Sequence, residues 1–223
     1  MSKGIVLIAF NNAAVDYVRM ALYNASLIKR NMPGTEVCLI LDTAGFSRHE
    51  EAIKKTFDKF IIANPAEKFE NIRSFKDTQY FSTQARFRNE TRSLAYALSP
   101  YDETLLVDVD YLIFDNSLSN VWGCEESILI NKHATGLDNY PLLGDEYRLE
   151  DTSVRMYWAT VVYFKKCEIA KCLFDLVEHV KDNWNFYQST YGFPGRLFRN
   201  DYAFSIAIHM LNGFSESGEV CKD

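Results

Sequence analysis

Asp108 and Asp110 stand two residues apart within Glu103 to Asp115, read ETLLVDVDYLIFD, where an apolar run climbs to two aspartates and then resumes. Their side chains offer hard oxygen donors, the ligand type that suits Mg²⁺ or Mn²⁺ carrying a diphosphate. Thr104-Leu105-Leu106-Val107 has the length and branching of a buried strand, so both acids fall where that strand leaves its sheet. Side chains alternate along an extended backbone, which predicts that two acids spaced this way face one ion together. An isolated D-x-D is also a common turn cap. The apolar strand before this one and Tyr-Leu-Ile-Phe after it set it apart, because charges held between apolar segments cost on the order of a few kcal/mol unless paired or metal-bound.

From Tyr101-Asp102 through Leu106-Val107-Asp108-Val109-Asp110 to Ile113, the chain resembles the YD-x-hydrophobic-LD-x-D segment of GT-A glycosyltransferases, in particular the glycogenin-like and galactosyltransferase-like families. It is also similar to small glycosyltransferase-like proteins of tailed phages. The resemblance spans about residues 4 to 212, with only the D-x-D segment specific. It implies an α/β fold of the Rossmann-like GT-A type, with a mostly parallel central sheet flanked by helices. It also implies a nucleotide-sugar donor, UDP-sugar favoured, and Mn²⁺ or Mg²⁺ held by Asp108 and Asp110, with Val109 lining the donor between them.

The elements that must position this pair can be read from the chain. Gly4 to Phe10 reads as a buried strand that Asn11-Asn12 breaks, and Val15, Val18, Leu22, Ala25 and Ile28 then recur at helical spacing up to Pro33-Gly34. Thr35 to Leu41 is a second buried strand ending at Asp42. This is a βαβ unit, hence parallel strands with a right-handed crossover, and ligands of such sheets bind at the carboxyl ends of the strands. Ala9, Phe10, Asn11 and Asp42 therefore stand at the rim, where the resemblance gives the first strand end to the nucleoside. Asn11 is equally suited to capping the helix, and Asp42-Thr43-Ala44-Gly45 reads first as an ordinary turn, with a nucleoside ligand at Asp42 the second reading. Gly-x-Gly-x-x-Gly and Gly-Lys-Ser/Thr are absent, so phosphate charge is met by something other than a glycine-rich loop.

Glu50 to Phe57 reads as a helix, Lys59 to Ala63 as a short strand, and Asn64 to Ser82 as a long polar loop. A helix is predicted from Ser82 to Leu98, with Phe87, Thr91, Leu94 and Leu98 as its stripe and Arg88 and Arg92 one turn apart beside it. A guanidinium fork suits diphosphate or sugar hydroxyls at any working pH. The resemblance places such an arginine on the helix before the D-x-D strand, Arg92 being the nearer match and Arg88 the next. The competing reading is a solvated face paired with Glu90 and Asp102.

In the second half, Leu118 to Trp122 reads as a helical turn and Ser127 to Lys132 as a strand. Gly136 to Asp151 reads as a loop, holding Gly144, Asp145 and Glu146, long enough to be a lid or acceptor wall. Met156 to Phe164 resembles the strand lining the sugar pocket in these families. Trp158 stands where they have asparagine and Thr160 where they have glycine, so Trp158 either stacks on the donor or belongs to the core. Cys167 to Trp184 reads as an amphipathic helix, followed by an aromatic loop containing Pro194 and Gly195, and a last helix runs from Asn200 to Leu211. The resemblance makes Asp201 an acceptor ligand or catalytic base; local physics makes it a favourable acid in a first helical turn.

The chain has 223 residues, 48% of them hydrophobic and 14% aromatic, enough for one GT-A-like domain over residues 1–223. Its nucleotide-binding half is expected over 1–115 and its acceptor half over 116–223; the third metal ligand is either water or the diphosphate, or the natural chain is longer than this one. A net charge of −6 gives no global basic field to recruit nucleic acid or acidic membrane. Five scattered cysteines, odd in number, point to reduced thiols. No apolar stretch approaches the length of a transmembrane helix or signal core, which predicts a cytoplasmic protein with no membrane partner. The expected function is metal-dependent hexosyl or pentosyl transfer to a glycan, a protein or a modified DNA base. The alternatives are a GT-A-like nucleotide-sugar binding module without turnover and a nucleotidyltransferase on a similar sheet. The latter would normally carry a glycine-rich basic loop after its first strand, which Phe10 to Ala14 is not.

Overall fold

The computed structural model describes residues 1–66, 71–76, 82–88, 91–136, 138–143, 147–193, 197–215 and 220. The chain divides into two compact units, Met1–Cys124 and Glu125–Asp223. The first unit is built on four parallel strands and the second on an antiparallel pair. No described helix is long and apolar enough to cross a membrane.

The first unit opens with β1 (Lys3–Ala9), α1 (Tyr17–Asn31), β2 (Glu36–Leu41), α2 (Thr43–Thr56) and β3 (Lys59–Ile62). A hairpin follows, β4 (Ile72–Lys76) against β5 (Ser82–Arg86), then a 3₁₀ turn at Arg92–Leu94, the short α3 (Ala95–Leu98) and β6 (Glu103–Val107). The four sheet strands lie in the order β3-β2-β1-β6, all parallel. β1 is thus central, which its unbroken apolar run requires: Ile5, Val6, Leu7 and Ala9 are fully buried, as are Val37, Cys38, Leu39 and Leu41 of β2. Burial of the Cys38 thiol pushes its pKa up to about 12. Gly4 lies under the ring of Tyr101, where an added Cβ would stand 2.4 Å from the ring, so the strand has no room for a side chain there.

Two expectations fail in this unit. The stretch read as a helix from Ser82 begins as a strand, and the stretch read as irregular contributes that strand's partner. Apolar positions at helical spacing did not prevail, because β4 supplies Ser82–Arg86 with backbone partners upstream, from Lys76 opposite Ser82 to Ile72 opposite Arg86. Only Arg92 onward turns helically.

The second unit holds β7 (Ile128–Asn131), the small pair β8 (Ala134–Thr135) and β9 (Pro141–Leu143), and β10 (Trp158–Lys165), which pairs antiparallel with β7. Helices α4 (Glu168–Asp182), α5 (Trp184–Tyr191) and α6 (Asn200–Leu211) follow. Phe174 of α4 meets Phe164 of β10 and Phe204 of α6 edge-on, at 4.8 and 5.6 Å between ring centroids. Part of the expected aromatic loop is therefore α5, while Gly144, Asp145, Glu146, Pro194 and Gly195 lie outside the described residues.

Candidate functional site

The register aligns the strand ends of the first unit. Ala9 pairs with Leu41, and Leu7 with Val107, so Phe10, Asn11, Asp42 and Asp108 all leave the sheet at its carboxyl edge. The chain runs from β1 to β2 on one side and returns to place β6 on the other, and ligands of open α/β sheets bind at such a reversal.

Both arginines singled out in the sequence come to this edge. Arg88 donates to the carboxylate of Asp42, and Arg92 donates to the carboxylate of Asp108. Arg88 also lies over the ring of Phe10, 4.9 Å from its centroid, so one guanidinium joins the ends of β1 and β2. The Arg92 side chain is 7% exposed while that of Asp108 is 42% exposed, so the cation is the fixed member of that pair and the carboxylate faces outward. Neither arginine arrives on the expected helix: Arg88 follows β5 and Arg92 opens the 3₁₀ turn. Of the partners weighed for a solvated face, Asp102 accepts from the N–H and hydroxyl of Ser2, and Glu90 lies outside the described residues.

β6 ends at Val107, and the Tyr111 N–H donates to the Asp108 carbonyl at 3.1 Å, closing a turn over the two acids. Alternation along an extended strand therefore does not describe Asp108 and Asp110. Their neighbourhood is that of a tight turn with Val109 buried between a half-buried Asp108 and an exposed Asp110. The turn is held from behind by α1: the Asn24 amide donates to the Tyr111 carbonyl at 2.9 Å and that of Asn31 to the Ile113 carbonyl at 2.7 Å. Tyr17, at the start of α1, lies in the fields of both Arg73 and Asp110. Burial raises its pKa, Arg73 opposes the rise and Asp110 adds to it.

The loop from β1 to α1 is dense in hydrogen bonds. Asn11 accepts from the Val18 N–H at 2.9 Å and donates to Asp16 at 2.9 Å. Asn12 accepts from the N–H groups of Ala14 and Val15, while its own amide nitrogen is buried without an acceptor among the described residues. Asp16 is the N-cap of α1, accepting from the Arg19 N–H, and its other oxygen lies 2.8 Å from Nε2 of His49. Burial pushes the Asp16 carboxyl upward, but the Arg19 N–H, His49 and Asn11 together outweigh it and hold the pKa below the ordinary value. Asp42 likewise caps α2 by accepting from the Gly45 N–H at 2.7 Å. Asn11 and Asp42 thus hold their helix starts and stand at the rim at once. Sequence reasoning missed Asp16, His49, Tyr17 and Arg73. For Asp16 a signal existed, an acid three residues before a helical N–H; for the others the sequence offers none.

In the second unit, Trp158 begins β10 opposite Asn131, beside the point where the pairing with β7 shifts register. Asp201 accepts from the Ala159 N–H at 2.9 Å and from Arg199 at 3.2 Å, with 18% of its side chain exposed. It therefore ties the start of α6 to the start of β10, a role that neither first-turn charge nor base chemistry had suggested. Among the described residues no cluster of three or more metal-ligating side chains occurs.

No family model and no curated protein matches the sequence. Solved structures do. The galactosyltransferase LgtC, in complex with donor and acceptor sugar analogues, matches with a TM-score of 0.54 at 17% identity, over 91% of this chain and 70% of that one. Mouse xyloside xylosyltransferase 1 gives 0.53 at 12% identity, over 94% and 82%. The glycosyltransferase GlyE of Streptococcus pneumoniae gives 0.50 at 10% identity, over 94% and 43%. The chain has the GT-A fold. That fold is what the D-x-D segment implied, and at these identities the likeness speaks for the fold alone.

Proposed function

We propose that the chain is a glycosyltransferase that moves a hexosyl or pentosyl group from a nucleotide-sugar donor, with UDP-sugars the first candidates, to a glycan, a protein or a modified DNA base. The observation that carries this reading is the pairing of Arg88 with Asp42 and of Arg92 with Asp108 at the carboxyl edge of a GT-A sheet. That edge offers two kinds of group a nucleotide diphosphate needs, cationic forks for its phosphates and carboxylates for its counter-ion.

Asp108 and Asp110 fit a hard divalent cation, Mn²⁺ or Mg²⁺: both offer oxygen donors, on a turn whose carboxylates are at least partly exposed. When bound, such an ion would neutralise charge on the diphosphate as the sugar–oxygen bond breaks. Arg92, fixed by burial, orients Asp108; Arg88 and Phe10 border the nucleoside end together with Ala9, Asn11 and Asp42; Val109 anchors the turn in the core. An arginine near the diphosphate adds stabilisation that grows as the leaving group gains charge. Trp158 is assigned to the donor sugar and Asp201 to the acceptor side. The cytoplasm is proposed as the compartment, a reading with which the free thiols of Cys38, Cys124, Cys167 and Cys172 are compatible.

The deciding experiment incubates the protein with Mn²⁺ and a panel of nucleotide sugars and measures released nucleoside diphosphate. Release from one donor class supports the proposal. Donor binding without release in the presence of any acceptor tried would make the chain a binding module, and release of pyrophosphate from a nucleoside triphosphate would make it a nucleotidyltransferase.

A further inference from the structure

We infer that His49 is a positioning residue for the nucleotide donor, acting through the Asp16 carboxylate on the Phe10–Asn11 end of β1. The inference rests on the donor reading above. Asn11 is bonded at both ends of its amide, to the Val18 N–H and to Asp16, so its side chain is fixed with the start of α1. Asp16 in turn uses one oxygen for Asn11 and the Arg19 N–H, and the other for Nε2 of His49. Capping a helix needs only the first oxygen. The second reaches across to another helix, and the contact is partly shielded, with 19% of the His49 side chain and 31% of the Asp16 side chain exposed.

That other helix is α2, whose first cap is Asp42. Seven residues, about two helical turns, separate Asp42 from His49. At His49 the backbone leaves helical geometry, with φ −126° and ψ 17°. α2 therefore carries the β2 rim at one end and grips the β1 rim with His49. Arg88 closes the circuit, bonded to Asp42 and lying over Phe10. The spacing between Phe10 and Asp42, the two residues that would border a nucleoside, is set twice: by Arg88, which contacts both, and by His49 through Asp16.

His49 touches neither donor nor reacting atoms in this scheme, so its loss should weaken donor binding and leave the chemical step alone. His49→Gln keeps an N–H donor near the place of Nε2, whereas His49→Leu fills the space without one. UDP affinity in Mn²⁺ is measured by calorimetry, with donor KM and kcat on the same preparations and circular dichroism to confirm folding. We expect His49→Leu to weaken UDP and raise KM about tenfold, the scale of one charge-assisted hydrogen bond, with kcat within about twofold of wild type. His49→Gln should recover most of the affinity. Asp16→Asn, which keeps an oxygen for the cap, should show the same split and serves if His49→Leu does not fold. Wild-type affinity in both His49→Leu and Asp16→Asn overturns the inference alone, as does a Gln variant as weak as Leu. Failure of the wild-type protein to bind any nucleoside diphosphate overturns this inference and the donor reading together.

Discussion

At the scale of single residues, the two acids after β6 have unequal surroundings, and that inequality is testable. Asp108 is held by a buried arginine and Asp110 is exposed, so Asp110→Asn should remove metal-dependent nucleotide-sugar binding with no change in thermal midpoint. Asp108→Asn should remove the same binding and also lower stability, because Arg92 then faces a neutral amide. Titrating Mn²⁺ and donor into each variant, followed by thermal melts, checks both; full binding in both would sink the metal assignment. Asp201 gives a second contrast. Asparagine there can still accept from the Ala159 N–H, so the link from α6 to β10 survives the substitution. If Asp201 is the base, Asp201→Asn should lower transfer by about 100-fold or more while donor binding is kept, the scale of general base catalysis. Unaltered transfer would leave Asp201 as the tether the geometry already shows.

At the scale of elements, what the sequence disclosed and what it concealed divide by how local the cause is. β1, β2 and β6 are apolar runs ended by Asn11, Asp42 and Asp108, so the strand ends and the rim residues are readable in the chain itself. The hairpin is not: Ser82–Arg86 acquires its identity from Ile72–Lys76, and Phe87, Thr91 and Leu94 supplied a helical period by coincidence. The arginines were legible as residue types but not in their partners, because Asp42 lies 46 residues from Arg88. Two packing details make element-scale predictions. Gly4→Ala would drive a methyl into the Tyr101 ring, and overpacking of this kind costs about 1–3 kcal/mol, read as a fall in the urea midpoint. Asp58 joins three elements, accepting from the Val37 N–H at the start of β2 and from Lys29 at the end of α1, just before β3. Burial raises its pKa, but those bonds outweigh it and the folded value lies below the unfolded one. Its contribution is therefore complete above about pH 4 and is lost as pH falls through the folded value. Asp58→Asn should flatten the loss of stability as pH falls below about 4; an unchanged acid limb would remove Asp58 from that account.

At the scale of the whole molecule, Cys38 reports on the fold as a unit. Fully buried in β2 and with its pKa raised to about 12, it should resist thiol reagents in the native state and become labelled only by global opening, whereas exposed Cys172 should react at once. Site-resolved mass spectrometry across a urea series checks this, and rapid native labelling of Cys38 would show the sheet opening locally. The central place of β1 has a further consequence, in time rather than in space. Lys3 pairs with Glu103, and the Ser2 carbonyl accepts from the Asp102 N–H, across a separation of 100 residues. During synthesis β1 can join β2 early, yet its other edge waits for β6, a delay of seconds at ordinary ribosome speeds. In that interval Ile5, Val6 and Leu7 present an unpaired apolar edge, the kind of strand that recruits another chain. The nascent protein is thus most vulnerable to aggregation before Asp108 has been made, and changes that slow translation between β2 and β6 should lower the soluble yield even when the finished fold is untouched.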